Sequence, residues 1–102
     1  MTSQKIKLSY NFLNLKNSVK LNKKISNLLE YQGTTITLDL IDLIFINSDG
    51  IWTLLELDHK LKYQGGKLQL INVNETIKSY FREMNIIDKL NILELSYSFR
   101  KF

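Results

Sequence analysis

A chain with no cysteine and a single histidine, His59, has few side chains with which to do covalent chemistry. Nucleophilic catalysis requires a serine, cysteine or lysine held beside a base. No serine here lies in a nucleophile-elbow or phosphate-loop pattern. His59 is expected to be an exposed helical residue rather than a base or a metal ligand. Asp39 closes a β-branched run, but the first carboxylate of the chain is Glu30. The acidic pair near an opening strand that would hold Mg²⁺ for aspartyl phosphorylation is therefore missing. Neither an enzyme activity nor a metal or other cofactor is expected. What remains is the turn Asn47-Ser48-Asp49-Gly50, a cluster of cap and turn residues leading into the apolar-periodic segment Ile51 to Tyr63. The start of a helix offers unpaired N–H groups and the positive end of the dipole, a natural place for an anion. On spacing alone Ser48 is simply the helix N-cap, a contribution of about 1 kcal/mol.

The elements that must position this turn can be read from periodicity. Gln4 to Tyr10 alternates Ile6 and Leu8 with lysines and predicts a half-buried strand, which Asn11 to Leu15 would extend. Asn17 or Ser18 is expected to cap a first helix whose apolar positions Leu21, Ile25, Leu28 and Leu29 form one stripe, with Gly33 ending it. Thr34 to Leu40 places Ile36, Leu38 and Leu40 on one face of a strand and Thr35, Thr37 and Asp39 on the other. In the second helix the expected inner stripe is Ile51, Leu54, Leu55 and Leu61, excluding Asp58, with Trp52, Glu56, His59 and Tyr63 facing elsewhere. Gly65-Gly66 ends that helix, and Lys67 to Val73 predicts another strand. A third helix follows Asn74, with Ile77, Phe81 and Met84 as its stripe and Asn85 in a left-handed C-terminal position. Ile92 to Leu95 closes as a short strand, and Ser96 to Phe102 is expected to be a frayed tail. Strands alternating with helices imply parallel pairing through right-handed crossovers, with helices covering a central sheet.

Composition agrees with one compact unit. At 102 residues, 44% hydrophobic and 24% charged, the chain can bury a single core and is not of disordered type. Without cysteine, neither disulfides nor thiolate metal sites contribute. The longest nearly apolar stretch, Leu38 to Ile46, is broken by Asp39 and Asp42 and is too short to cross a bilayer. Met1 to Lys7 lacks the apolar run of a secretory signal. No membrane insertion and a cytoplasmic location are expected. The formal charge of +4 is uneven, since Lys5, Lys7, Lys16, Lys20, Lys23 and Lys24 all precede the first acidic residue. Lysines on an amphipathic helix are ordinarily its solvated side. Interleaved aromatics and a recognised nucleic-acid motif are both lacking, so no nucleic-acid partner is expected.

The order of pieces between Thr35 and Ile92 carries a further signal. A strand ending Leu38-Asp39-Leu40 leads through Phe45-Ile46 to Asn47-Ser48-Asp49-Gly50. Then come Ile51 and Leu54-Leu55, Gln64-Gly65-Gly66, the strand Leu68 to Val73 and Asn85-Ile86-Ile87-Asp88-Lys89-Leu90. Together these resemble a STAS domain, the family named from sulfate transporters and anti-sigma-factor antagonists. Its pattern is a strand with a conspicuous aspartate, an Asp-Ser-Ser/Thr-Gly turn, a Leu-rich helix, a glycine-bounded strand and a closing Gly-Leu-x-x-x-Leu. The N-terminal third resembles the family only in layout and holds less of the usual opening hairpin.

The resemblance implies an α/β fold, a single STAS-like domain over residues 1–102 with a central mixed β-sheet and helices packed against it. Its ordered core would span about residues 4–95, ahead of the tail at 96–102. It also implies a regulatory protein resembling an anti-sigma-factor antagonist. The partner would be an anti-sigma factor or a serine kinase of the histidine-kinase-like ATPase fold. In such antagonists the first serine of the turn is phosphorylated, and Ser48 matches that position. A phosphate would add up to about two negative charges to the docked surface. The partner-binding residues so implied are Asn47, Ser48, Asp49, Gly50, Trp52 and Glu56. Gly50 is included because a missing side chain allows another backbone to approach. Exposed tryptophan is enriched at interface hot spots, although Trp52 packed on a sheet edge is the plainer alternative. The sequence departs from the pattern at Asn47 for the aspartate, Asp49 for the second hydroxyl residue and Trp52 for a small glycine. A permanent charge at Asp49 opposes an incoming phosphate. The alternative role within the family is a subunit binding the ATPase of a lipid-transport ABC complex without phosphorylation.

Overall fold

The computed structural model describes residues 3–30 and 32–94. In chain order the elements are β1 (Ser3–Lys7), β2 (Phe12–Leu13), α1 (Leu15–Ile25), a 3-10 turn at Leu28–Glu30, β3 (Thr35–Asp39), β4 (Phe45–Ile46), α2 (Ser48–Tyr63), β5 (Lys67–Ile71), α3 (Glu75–Glu83), a second 3-10 turn at Ile87–Lys89, and β6 (Ile92–Leu93). One sheet has the order β1-β3-β5-β6 and a smaller one pairs β2 with β4. Every ladder among the described residues is parallel. The antiparallel contribution that a mixed sheet would draw from an opening hairpin is not among them, because β1 and β2 each pair forward with a later strand.

Alternation explains the layering. In β3, Ile36 and Leu38 are buried while Thr35, Thr37 and Asp39 are only half-buried, and the register sets Ile36 beside Leu68 and Leu38 beside Leu70. That face meets Leu21 and Ile25 of α1, Leu54, Leu57 and Leu61 of α2, and Phe81 of α3 in one buried cluster. Each fully buried leucine or isoleucine contributes about 1.5–3 kcal/mol. The opposite face stays polar, with Thr37 donating from its hydroxyl to Gln69 Oε1 at 3.1 Å.

Several expectations are corrected. The segment after Tyr10 does not prolong β1; it forms β2 and pairs with β4. The helix that follows is capped by Asn14, whose side chain accepts from the Asn17 N–H at 3.0 Å, not by Asn17 or Ser18. The chain is still extended at Leu13 through that pairing, so the helix begins earlier and Ser18 is carried into its buried side. Helix α1 ends at Ile25, before Leu28 and Leu29, and these two are only partly buried in and around the 3-10 turn. In α2 the buried side includes Leu57 and also Asp58, which is 7% exposed, while Leu55 is half-buried. Asp58 is tolerated there because Lys62, one turn on, reaches it at 3.0 Å. Met84 is the cap residue of α3 and is 44% exposed rather than part of its buried stripe. Asn85 does take the left-handed conformation, with φ 58°, as does Asn72 with φ 57°. The predicted strand end at Leu95 and the tail at 96–102 lie outside the described residues.

Candidate functional site

The turn at 47–50 is built from below by the small sheet. Pairing of β2 with β4 brings the Leu13 carbonyl within 3.2 Å of the Asn47 N–H. That hydrogen bond holds Asn47 extended, at φ −105° and ψ −176°, the conformation of an N-cap. The Asn47 side chain then accepts from the Gly50 N–H at 3.1 Å, and its carbonyl accepts from the Ile51 N–H at 2.9 Å. Asn47, not Ser48, therefore caps α2. Ser48 becomes the first helical residue and is exposed, and its hydroxyl has no hydrogen bond among the described residues.

Gly50 has a different reason from the one its type suggested. It is buried, and a Cβ there would lie 2.3 Å from the Leu13 carbonyl oxygen and 2.7 Å from Ile46 Cγ1. The close backbone approach made possible by glycine is to β2 of the same chain. Asp49 is exposed in the first turn, where a carboxylate favours the dipole. Its backbone carbonyl accepts from the Thr53 hydroxyl at 3.0 Å.

Trp52 does not pack on a sheet edge; it stands on the outer face of α2, 66% exposed. A shallow apolar depression beside it is lined by Ser48, Ile51, Leu55, Met84 and Ile86. Glu56 is exposed one turn beyond Trp52. Ser48, Asp49, Trp52 and Glu56 thus form one accessible strip, with Asn47 half-buried at its base and Gly50 beneath it. Sequence reasoning places Leu55 and Met84 in inner stripes, whereas the structure leaves Leu55 half-buried and Met84 exposed beside Trp52, so both join the strip.

Other chemistry-bearing residues are accounted for structurally. Asp39 accepts from Asn72 Nδ2 at 2.9 Å and from the Ile41 N–H at 3.1 Å, tying the ends of β3 and β5 together. His59 is exposed. Among the described residues no group of three or more histidines and carboxylates is disposed to hold a metal, and no helix is long and apolar enough to cross a membrane.

Comparison with known proteins places this arrangement. No curated protein matches the chain significantly. Among solved structures, a putative anti-sigma factor antagonist from Thermotoga maritima superposes with a TM-score of 0.73 at 21% identity, covering 94% of this chain and 86% of that one. The anti-sigma factor antagonist SpoIIAA in its unphosphorylated form gives 0.71 at 18% identity, covering 94% and 85%. At such identities the likeness is one of fold. The family model for the STAS domain matches residues 11–98, which include the small sheet, the capped turn and all three helices. With nearly the whole described fold inside that match, the chain belongs to the STAS domain family.

Proposed function

We propose that this protein is an anti-sigma-factor antagonist-like regulator that docks through Asn47, Ser48, Asp49, Trp52 and Glu56. Its partner is an anti-sigma factor or serine kinase of the histidine-kinase-like ATPase fold, and Ser48 is the phosphoacceptor that switches the complex. The observation carrying this reading is the division of labour at the start of α2. Asn47 performs the capping, which leaves the Ser48 hydroxyl exposed and uncommitted. A serine used as a cap would surrender its hydroxyl to the backbone. A phosphate on Ser48 would meet the first-turn N–H groups not taken by Asn47 and the positive dipole end. The nearby Asp49 carboxylate opposes it, so doubly charged phosphate beside it makes the strip strongly anionic and repels a partner that accommodated the neutral serine. The fold likeness to two anti-sigma factor antagonists supports the same reading.

The reading is tested by mapping phosphosites on the protein recovered from its native cell, and by capturing partners with wild type, Ser48→Ala and Ser48→Glu. Ser48→Ala is expected to retain an ATPase of the kinase type permanently, whereas Ser48→Glu releases it. Equal retention by all three proteins, or phosphate found only elsewhere, removes the switch.

A further inference from the structure

We infer that the groove between α1 and α2 is a self-complementary surface on which a second copy of this chain docks about a two-fold axis. The groove is lined from α1 by Leu15, Val19 and Asn22 and from α2 by Asp49, Trp52 and Glu56. Leu15 is 62% exposed and Val19 48%, large apolar side chains left open beside the open Trp52. At the floor, Ser18 is 2% exposed and its Oγ has no hydrogen-bond partner among the described residues.

Charge decides the occupant. The outer face of α1 carries Lys16, Lys20 and Lys23 and the helix has no acidic residue, while the α2 wall carries Asp49 and Glu56. None of these five charges has an ion-pair partner among the described residues, where the bridges instead involve Lys7, Lys62, Lys78 and Arg82. The two walls are also in step. β2 and β4 pair parallel with Leu13 beside Ile46, and α1 and α2 leave them side by side in the same direction. Extending that register up two parallel helices, as the proposed dimer requires, puts Lys16 level with Asp49, Val19 with Trp52 and Lys23 with Glu56. The two charge levels are separated by two helical turns, about 10.5 Å.

A two-fold axis running along the groove exchanges its walls and preserves these levels. Lys16 then faces Asp49 of the second copy and Lys23 faces its Glu56, with the apolar residues closed between them. Each contact is made twice, as an isologous interface requires. A partner of uniform charge would match one wall and be repelled by the other. The dimer covers Trp52, so it competes with any other protein that uses that residue, but the inference does not depend on phosphorylation of Ser48.

The test is sedimentation equilibrium of the whole chain from micromolar to millimolar concentration. The apparent mass of wild type is expected to rise from 12.0 kDa toward twice that value. Lys23→Glu and Glu56→Lys, both exposed substitutions, are each expected to weaken self-association about tenfold or more through like-charge contacts. Their equimolar mixture is expected to restore it, because in the mixed dimer residue 23 of each copy again faces an opposite charge at residue 56 of the other. Circular dichroism of each variant verifies that the fold persists. A wild type that remains at 12.0 kDa throughout, or single variants that associate as wild type does, or a mixture no better than its components, overturns the proposal.

Discussion

Two helix starts in this molecule use the same device to different ends. At α2, Asn47 accepts from the N–H three residues on, and at α3, Asn74 does the same with Ile77 at 2.9 Å. Both have an acidic residue in the first turn, Asp49 and Glu75. Beyond that they diverge. The Asn74 amide also donates to the Leu43 carbonyl at 3.0 Å, and Glu75 is engaged by Arg82 at 3.4 Å and Lys78 at 3.9 Å. At α2 the acidic residue is without an ion pair among the described residues, the serine hydroxyl is idle, and a tryptophan stands open one turn along. The lesson is that a cap and a favourable dipole do not make a site. A site is marked by groups the fold has left unspent next to apolar surface it has left uncovered.

The comparison can be broken most forcefully at Gly50, whose N–H donates the cap bond to Asn47. Gly50→Ala drives a Cβ into the Leu13 carbonyl, and a loss of roughly 2 kcal/mol is expected in urea unfolding. Thr76→Ala, at an exposed position in the first turn of α3, is expected to stay within about 0.5 kcal/mol of wild type. Similar losses at the two positions would mean that α2 does not sit against β2 as described.

The caps themselves give a middle-sized contrast. Asn47→Ala removes one capping bond and costs about 1 kcal/mol, whereas Asn74→Ala also orphans the Leu43 carbonyl and costs about 2 kcal/mol. Thermal unfolding of the two variants checks the order, and the reverse order contradicts the tie between Asn74 and the β4 approach. Smallest is the gap between Glu75→Gln and Asp49→Asn, about 0.5 kcal/mol at low ionic strength and due to the exposed ion pairs of Glu75 alone. It is expected to close near 1 M salt, where screening acts over about 3 Å. A gap that persists there has another cause.

Much of this could be read from residue order, and the failures have identifiable causes. β3, β5 and α2 show their periods over five or more residues, so burial selects one register and the sequence displays it. β2 and β4 are two residues each, too short for any alternation to be visible, and they exist because each supplies the other's hydrogen bonds. Missing them misplaced the start of α1 and concealed the reason for Gly50. Asn47 and Ser48 are both good caps, so local chemistry could not choose between them. The Leu13 carbonyl, distant in sequence, made the choice.

By itself the sequence determined the alternating strand and helix plan, most of the core-facing apolar positions and the presence of a helix start at 47–50, because these follow from local backbone preference and from the period at which apolar side chains recur. Only the tertiary structure decided which residue caps α2, that Ser48 is left free and that Trp52 faces outward beside a groove between α1 and α2. Those outcomes depend on where β2 is laid against β4, and a contact between residues more than thirty positions apart leaves no mark on the period of either segment.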